Sequence, residues 1–406
     1  MKIAIFGIGR VGLPLALSFA DQKQDVIGVD INELHVRKIR EGKLPFIEEG
    51  AEPILNKCVN KNFHPTTDSY SAIAESEVLI LTLGTPVDEH MNPVFSDIEA
   101  VIDKMIPNLK KGQLIILRST VSPGTTEYLK RYIEARSELR IGKDLFLAFC
   151  PERIAEGKAI EEIRSLPQIV GALDDNSRKK AEEVFKILTT DILVTDARSA
   201  ELAKLYSNMY RYINFAIANE FMMIAHAHER DIYEIAKLVN KNYKRGGLAQ
   251  PGLAAGPCLY KDGFFLVNKT PYTELISTSW KINETTPGYL ISEIKKIKEL
   301  EKANVLILGL SFKADIDDTR NSLSFKAKKV FHEFGANVML HDPYIEKSDL
   351  YELGKKADVV FVSINHKEYK NLGRDFLSKL KKDCVICDIW NVFGTEKIIF
   401  KSGELR

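Results

Sequence analysis

The sequence predicts an α/β protein of two doubly wound, Rossmann-like parallel-sheet domains joined by a central helical domain with a long connecting helix. Three observations predict it. Through the first half of the chain, short aliphatic or β-branched runs alternate with amphipathic segments, the pattern of parallel strands with crossover helices. From 197 to about 230 a helical period runs on without glycine or proline. The alternation then restarts over roughly the last hundred residues. A chain of 406 residues is also too long for a single core.

The runs KIAIF, DVIGVD, EVLILTL, QLIILRS, DLFLAF, QIVGAL and DILVT supply the strands of a first domain over 1–196. The long helix and a second one after Asp231 open a central domain over 197–300 and offer an apolar face to a partner chain, so a homodimer is expected. Next comes NKNYKRGGLAQPGLAAGPCLYKDG, irregular because it is dense in glycine and proline. Loops of that length in compact proteins are usually functional. A helical segment over about 271–302 is expected to break near Pro287 and Gly288. NVLILGL, NVMLHD, DVVFVSI and CVICDI then build a second, smaller doubly wound domain over 301–406.

Charge and cysteine usage narrow the function classes. With 57 basic and 56 acidic residues, the formal net charge of +1 calls for neither a nucleic acid nor a membrane surface as partner. No apolar run approaches a membrane span, and MKIAIFGIG enters a strand without a signal-peptide pattern. Five scattered cysteines, an odd number, predict free thiols in a reducing cytoplasm. Cys384 and Cys387 form a C-x-x-C without a second pair inside a strand-like run, so they are expected to be core thiols and no metal is predicted.

IAIFGIGRVGLPLA places Gly7, Gly9 and Gly12 in a G-x-G-x-x-G between a strand and a helix. The first glycine makes the tight turn, the second lets the backbone approach a pyrophosphate, and the third lets the helix pack on the strand. Asp30, ending VIGVD, would bind the hydroxyls of the adenosine ribose and repel a 2′-phosphate, so the cofactor is expected to be NAD. The restart LILGLSFKA has Gly309 but lacks the later glycines and an acid-tipped strand in matching register. That turn is expected to grip something other than NAD.

Only Cys258 among the cysteines lies in a Gly/Pro loop with polar neighbours, in GPCLYKD, where Lys261 is close enough in sequence to lower its pKa. On the long helix, Lys204, Asn208 and Arg211 fall at spacings of four and three, on one face. Glu152 in CPER and Thr120 in LRSTVSPG each follow a strand end, where open α/β sheets gather ligands.

Taken in order, GIGRVGLP, VD, GTP at 84–86, STVSPGTT, CPER, ELAKLYSNMYRYINFAIANE, GPCLYKD and GLSFKADIDDTRNS resemble the nucleotide-sugar 6-dehydrogenases. That group contains the UDP-glucose, UDP-N-acetylhexosamine and GDP-mannose enzymes, and the resemblance runs over nearly the whole chain. It implies an NAD domain, a central helical dimer domain and a C-terminal domain that binds the nucleotide of the sugar. It implies further that Cys258 is the nucleophile, with Lys204, Asn208 and Asp262 around it, Glu152 associated with hydrolysis of the covalent intermediate, and Thr120 near the reacting sugar. Thr85, Thr120, Lys261 and Arg320 then fall to the cofactor, and Arg153, Arg211, Arg245, Gly256 and Lys313 to the sugar nucleotide.

The resemblance thus implies a four-electron oxidation of the sugar's carbon-6 alcohol to a carboxylate through a cysteine thioester. CPERIAEGK is more similar to the N-acetylhexosamine branch, which points to UDP-ManNAc or UDP-GlcNAc, with UDP-glucose as the alternative. Two features depart from the branch. Pro257 stands where a histidine is common before the nucleophile, and Trp390 in DIWNVF where many relatives have arginine. Outside the family, the competing classes are a two-electron hydroxy-acid dehydrogenase and a non-catalytic sugar-nucleotide sensor.

Overall fold

The computed structural model describes residues 1–84, 87–89, 94–245, 247–267 and 272–405. They form two compact units, one built on Met1–Ser207 and the other on Asn208–Gly263 with the residues after 271. Among the described residues, no helix is long and apolar enough to cross a membrane.

The first unit is an eight-stranded sheet with β1 Lys2–Phe6, β2 Asp25–Val29, β3 Phe63–Thr66, β4 Val78–Leu81, β5 Leu114–Leu117, β6 Phe146–Phe149, β7 Gln168–Ala172 and β8 Ile192–Asp196. Its order is β3-β2-β1-β4-β5-β6-β7-β8. The first six strands follow the 3-2-1-4-5-6 order of dinucleotide-binding folds, whose crevice opens where β1 and β4 diverge. Alternation along β1 shows why both faces are covered. Ile3 and Ile5 enter one apolar cluster with Leu13, Leu17 and Phe19 of the helix Gly12–Asp21. Ala4 and Phe6 enter another with Leu129 and Ile133 of the helix Thr125–Arg136.

The sheet is not parallel throughout, as the strand runs alone suggest. β7 runs antiparallel to β6, and β8 parallel to β7. The connection over 150–167 keeps to the carboxyl end of β6, so the chain re-enters the sheet from that end instead of crossing a face.

The second unit holds β9 Asn304–Leu308, β10 Asn337–His341, β11 Val359–Val362, β12 Val385–Cys387 and β13 Ile399–Lys401, in the order β10-β9-β11-β12-β13. Only β13 is antiparallel to its neighbour. Val305 and Ile307 face one apolar cluster, Leu306 and Leu308 the other.

The long helix spans Ala197–Ala227, and a second runs over Ile232–Asn240. The helix Glu274–Lys295 is continuous through Pro287, contrary to the expected break. Pro287 is buried, and the hydroxyls of Thr285 and Thr286 bond back to the carbonyls of Lys281 and Ile282, both at 2.8 Å. Side-chain bonds and packing of Leu290 and Ile291 hold the turn that the missing N–H weakens.

Candidate functional site

The Gly-rich turn lies at the carboxyl end of β1. Gly7 has φ +90° and donates its N–H to Val29 O at 2.7 Å; a Cβ there would meet Thr82 O at 2.8 Å. A Cβ on Gly12 would meet Gly7 O at 2.1 Å, whereas one on Gly9 would meet nothing within 4 Å. The first and third glycines are therefore demanded by packing, and the second faces space into which a pyrophosphate fits. Asp30 follows β2, and its Oδ1 accepts the N–H of Asn32 at 2.9 Å. Three crowded or open glycines and a strand-end carboxylate fit an NAD with unmodified ribose hydroxyls. Thr85 lies outside the described residues.

Local sequence did not reveal His35. Its Nε2 lies 2.8 Å from Ile8 O, so the ring donates to the middle of the Gly-rich turn. The Phe46 ring centre lies 6.3 Å from that of His35 and 5.0 Å from the Arg10 guanidinium.

Thr120 is half-buried just beyond β5, in the segment that leads into the helix Thr125–Arg136. Glu201 of the long helix caps that helix, accepting from Gly124 N at 2.6 Å and from Thr126 N at 2.8 Å. Its burial pushes its carboxyl above the usual range, and these bonds only partly offset that.

Glu152 is buried, and so is the arginine that holds it. Arg118 donates from Nε to Glu152 Oε2 at 2.9 Å and closes a second contact to the same oxygen through Nη2. Glu152 Oε1 accepts the N–H groups of Arg153 and Ile154 at 2.8 and 3.2 Å. A carboxylate with both oxygens engaged in this way is better suited to positioning than to taking a proton. The only sequence signal for Arg118 was a lone cation ending the apolar run QLIIL. Arg153 donates from Nη2 to the carbonyl of Pro167.

Along the long helix, Lys204 is half-buried, Asn208 is buried and Arg211 is exposed, so the three do not share one environment. In the second unit Asn208 Nδ2 donates to Asp262 Oδ2 at 2.6 Å, and Asp262 is fully buried. Cys258 caps the short helix Leu259–Asp262, its carbonyl accepting from Lys261 N and Asp262 N at 3.1 and 3.0 Å. Burial lowers the Lys261 pKa, an effect partly offset by the charges of Asp262 and Cys258.

Cys258 is exposed, whereas Cys58, Cys150, Cys384 and Cys387 are buried. Burial pushes the Cys150 and Cys384 thiols up to about 12. Two residues before Cys258, Gly256 has φ +109°, and a Cβ there would meet the Phe312 ring at 2.5 Å. Arg245 is exposed beside the Tyr243 ring. Lys313 is half-buried, and Arg320 is clamped on Asp318 by Nε and Nη2.

The turn at Gly309 corrects the sequence reading. Gly309 has φ +91° and donates to His341 O at 2.9 Å, as Gly7 does to Val29 O, so Asp342 occupies the place that Asp30 has in the first unit. An acid-tipped strand is thus present in register, but its carboxylate turns inward. Asp342 Oδ2 accepts Leu310 N at 2.7 Å and lies 3.1 Å from His366 Nε2, so it is bonded within its own turn. Asp315, His366 and Glu368 bring possible metal ligands together. His366 Nδ1, however, accepts Asp315 N–H at 2.9 Å while Nε2 faces Asp342, so both ring nitrogens are engaged.

Comparison with known proteins agrees with this geometry. Three models of the UDP-glucose/GDP-mannose dehydrogenase family match in chain order: the NAD binding domain over 1–189, the central domain over 198–285 and the UDP binding domain over 306–395. The chain is 31% identical to a UDP-N-acetyl-D-mannosamine dehydrogenase of Pyrococcus horikoshii, over 98% of each. It is 32% identical to one of Campylobacter jejuni, over 92% of this chain and 97% of that one. The solved UDP-N-acetyl-mannosamine dehydrogenase of Staphylococcus aureus superposes with a TM-score of 0.86 at 30% identity, covering 97% of this chain and 95% of that chain.

Proposed function

The chain belongs to the UDP-glucose/GDP-mannose dehydrogenase family and is an NAD-dependent dehydrogenase of nucleotide sugars; from that premise we propose that it oxidises carbon 6 of a UDP-N-acetylhexosamine, UDP-ManNAc first, to the uronate through a thioester on Cys258. The observation that carries this reading is an exposed thiol at the end of a tightly built loop, four residues before a buried aspartate bonded to Asn208. The relatives at 31–32% identity support the sugar.

NAD, when bound, would supply the hydride acceptor, a separate molecule for each of the two oxidations. In the first, a water held by Lys204 and Asp262 takes the hydroxyl proton, leaving an aldehyde. The Cys258 thiolate adds to that carbon, and Lys204 with the second N–H of Asn208 stabilises the oxyanion of the thiohemiacetal. Loss of a second hydride gives the thioester, and water cleaves it to carboxylate and thiol. Asp262 is the better base for that water, because the Glu152 carboxylate is committed to Arg118 and two backbone amides.

We assign Gly7, Gly9, Gly12, Asp30, Thr85, Thr120, Lys261 and Arg320 to the cofactor. Arg153, Arg211, Arg245, Gly256 and Lys313 go with the sugar nucleotide. The three-part division at 1–196, 197–300 and 301–406 is the functional one, and the working form is a cytoplasmic homodimer. Exposed Tyr206, Tyr210, Ile217, Phe221 and Ile224 form an apolar stripe at helical spacing along the long helix that supports the dimer.

The test is NADH formed per sugar consumed, with UDP-ManNAc, UDP-GlcNAc and UDP-glucose offered separately. Two NADH per UDP-ManNAc are expected, and Cys258→Ser should lower turnover about 10³-fold or more. One NADH per sugar, or full activity in the variant, sinks the thioester mechanism. Two NADH from UDP-glucose alone would move the substrate to that sugar.

A further inference from the structure

The loop before Cys258 is held at Gly252 from two sides. On one side Asn219, in the long helix, pairs with the Gly252 peptide: Gly252 N–H donates to Asn219 Oδ1 and Asn219 Nδ2 donates to Gly252 O, both at 3.0 Å. Asn219 Nδ2 also donates to Asn283 Oδ1 at 3.0 Å, and Asn283 Nδ2 to the carbonyl of Tyr212 at 3.0 Å. Both asparagines are fully buried. On the other side stands the Trp390 indole. A Cβ on Gly252 would lie 2.4 Å from its Cη2 and Cζ3.

The indole is itself fixed. Its N–H donates to Ser363 O at 2.8 Å, and its ring meets Phe215 edge to face with 6.2 Å between centres. From Gly252 the chain runs through buried Leu253, Ala254 and Ala255 to Gly256 against Phe312. Every residue between the clamp and Pro257 is buried, and Cys258 emerges directly beyond. A displacement at Gly252 therefore has no slack in which to be absorbed before it reaches the thiol.

We propose that Asn219, Gly252 and Trp390 form a positioning clamp for Cys258, and that Trp390 serves this chain as a packing wall for the nucleophile loop rather than as a contact to the sugar nucleotide. The proposal rests on Cys258 as nucleophile. Asn219 sets the height of the loop through two bonds to one peptide. Trp390 closes the opposite face so tightly that only glycine fits. None of the three touches the reacting atoms; they act through the loop.

The experiment compares Gly252→Ala, Trp390→Phe and the double variant Gly252→Ala/Trp390→Val in the full-length enzyme. Three quantities are read: kcat, KM for UDP-ManNAc, and the rate at which iodoacetamide alkylates Cys258. Because the other four thiols are buried, the first alkylated peptide reports Cys258. Gly252→Ala should lower kcat about 10- to 100-fold and change the alkylation rate, with KM within about twofold, since a shift near 1 Å at a reacting group costs that much. The double variant, with the ring gone, should recover more than half of the lost logarithm of kcat.

Trp390→Phe loses the bond to Ser363 but should fold; kcat and alkylation rate should change together several-fold at constant KM. Unchanged kcat and alkylation in Trp390→Phe, or no recovery in the double variant, overturn the clamp. A raised KM at constant kcat also overturns it, by placing Trp390 against substrate. Cys258→Ser separates the two readings: if that variant keeps full activity the nucleophile assignment fails, while alkylation of Cys258 in the clamp variants still reports the loop.

Discussion

Arg118→Met tests the buried ion pair that ties β5 to the segment after β6. Arg118 is 2% exposed and makes four contacts: two to Glu152, one to Cys150 O at 3.1 Å and one to Gln168 Oε1 at 3.0 Å. Its guanidinium also lies 4.9 Å from the centre of the Phe185 ring. Methionine replaces the stem but leaves the Glu152 carboxylate buried without its cation, a change that costs about 3–5 kcal/mol. Two backbone N–H bonds remain on Glu152 Oε1 and hold the loss to the lower part of that range. For a unit of this size each kcal/mol is worth roughly 2–4 °C, so the first unit should melt roughly 6–16 °C lower.

Calorimetry is the assay, because both tryptophans, Trp280 and Trp390, lie in the second unit and do not report the first. Arg118→Met/Glu152→Met should cost less than the single change. An unaltered transition, or a double variant worse than the single, would refute the reasoning.

Two further outcomes are expected. Asp388 is buried, and desolvation raises its carboxyl to about 6 against amide bonds from Val392 and Phe393 that favour the charged form. With the folded pKa above the unfolded one, its contribution is full below about pH 4 and gone above about pH 6, a swing of about 3 kcal/mol. Asp388→Asn should therefore flatten the fall in urea midpoint of the second unit between pH 4 and pH 7; an unchanged slope counts against it. For assembly, Tyr210→Glu/Phe221→Glu should halve the mass of the wild-type particle in light scattering, and a wild type that already runs at the 45.8 kDa of one chain would remove the dimer.

The sequence by itself determined the parts whose causes are local. Ile3 and Ile5 against Ala4 and Phe6 encode a strand covered on both faces, because side-chain period alone decides which face is buried. Gly7 and Gly12 were legible because the turn crowds its own backbone, and Asp30 because it ends the neighbouring strand. Cys258 stood out by its Gly/Pro surroundings, and its exposure matches that signal.

Tertiary structure decided what depends on distant partners. Arg118 and Glu152 are 34 positions apart and meet because Leu117 pairs with Phe149. The turn at Gly309 reads in sequence as lacking an acid-tipped strand, yet Asp342 stands there, and the direction of its carboxylate is set by His366 and the amide of Leu310. The antiparallel course of β7, the survival of the helix through Pro287 and the Gly252 contact with Trp390 have the same origin. Hydrophobic period fixes which face of an element is buried, whereas strand direction and the partner of a polar or crowded atom are fixed by contacts between segments far apart in the chain.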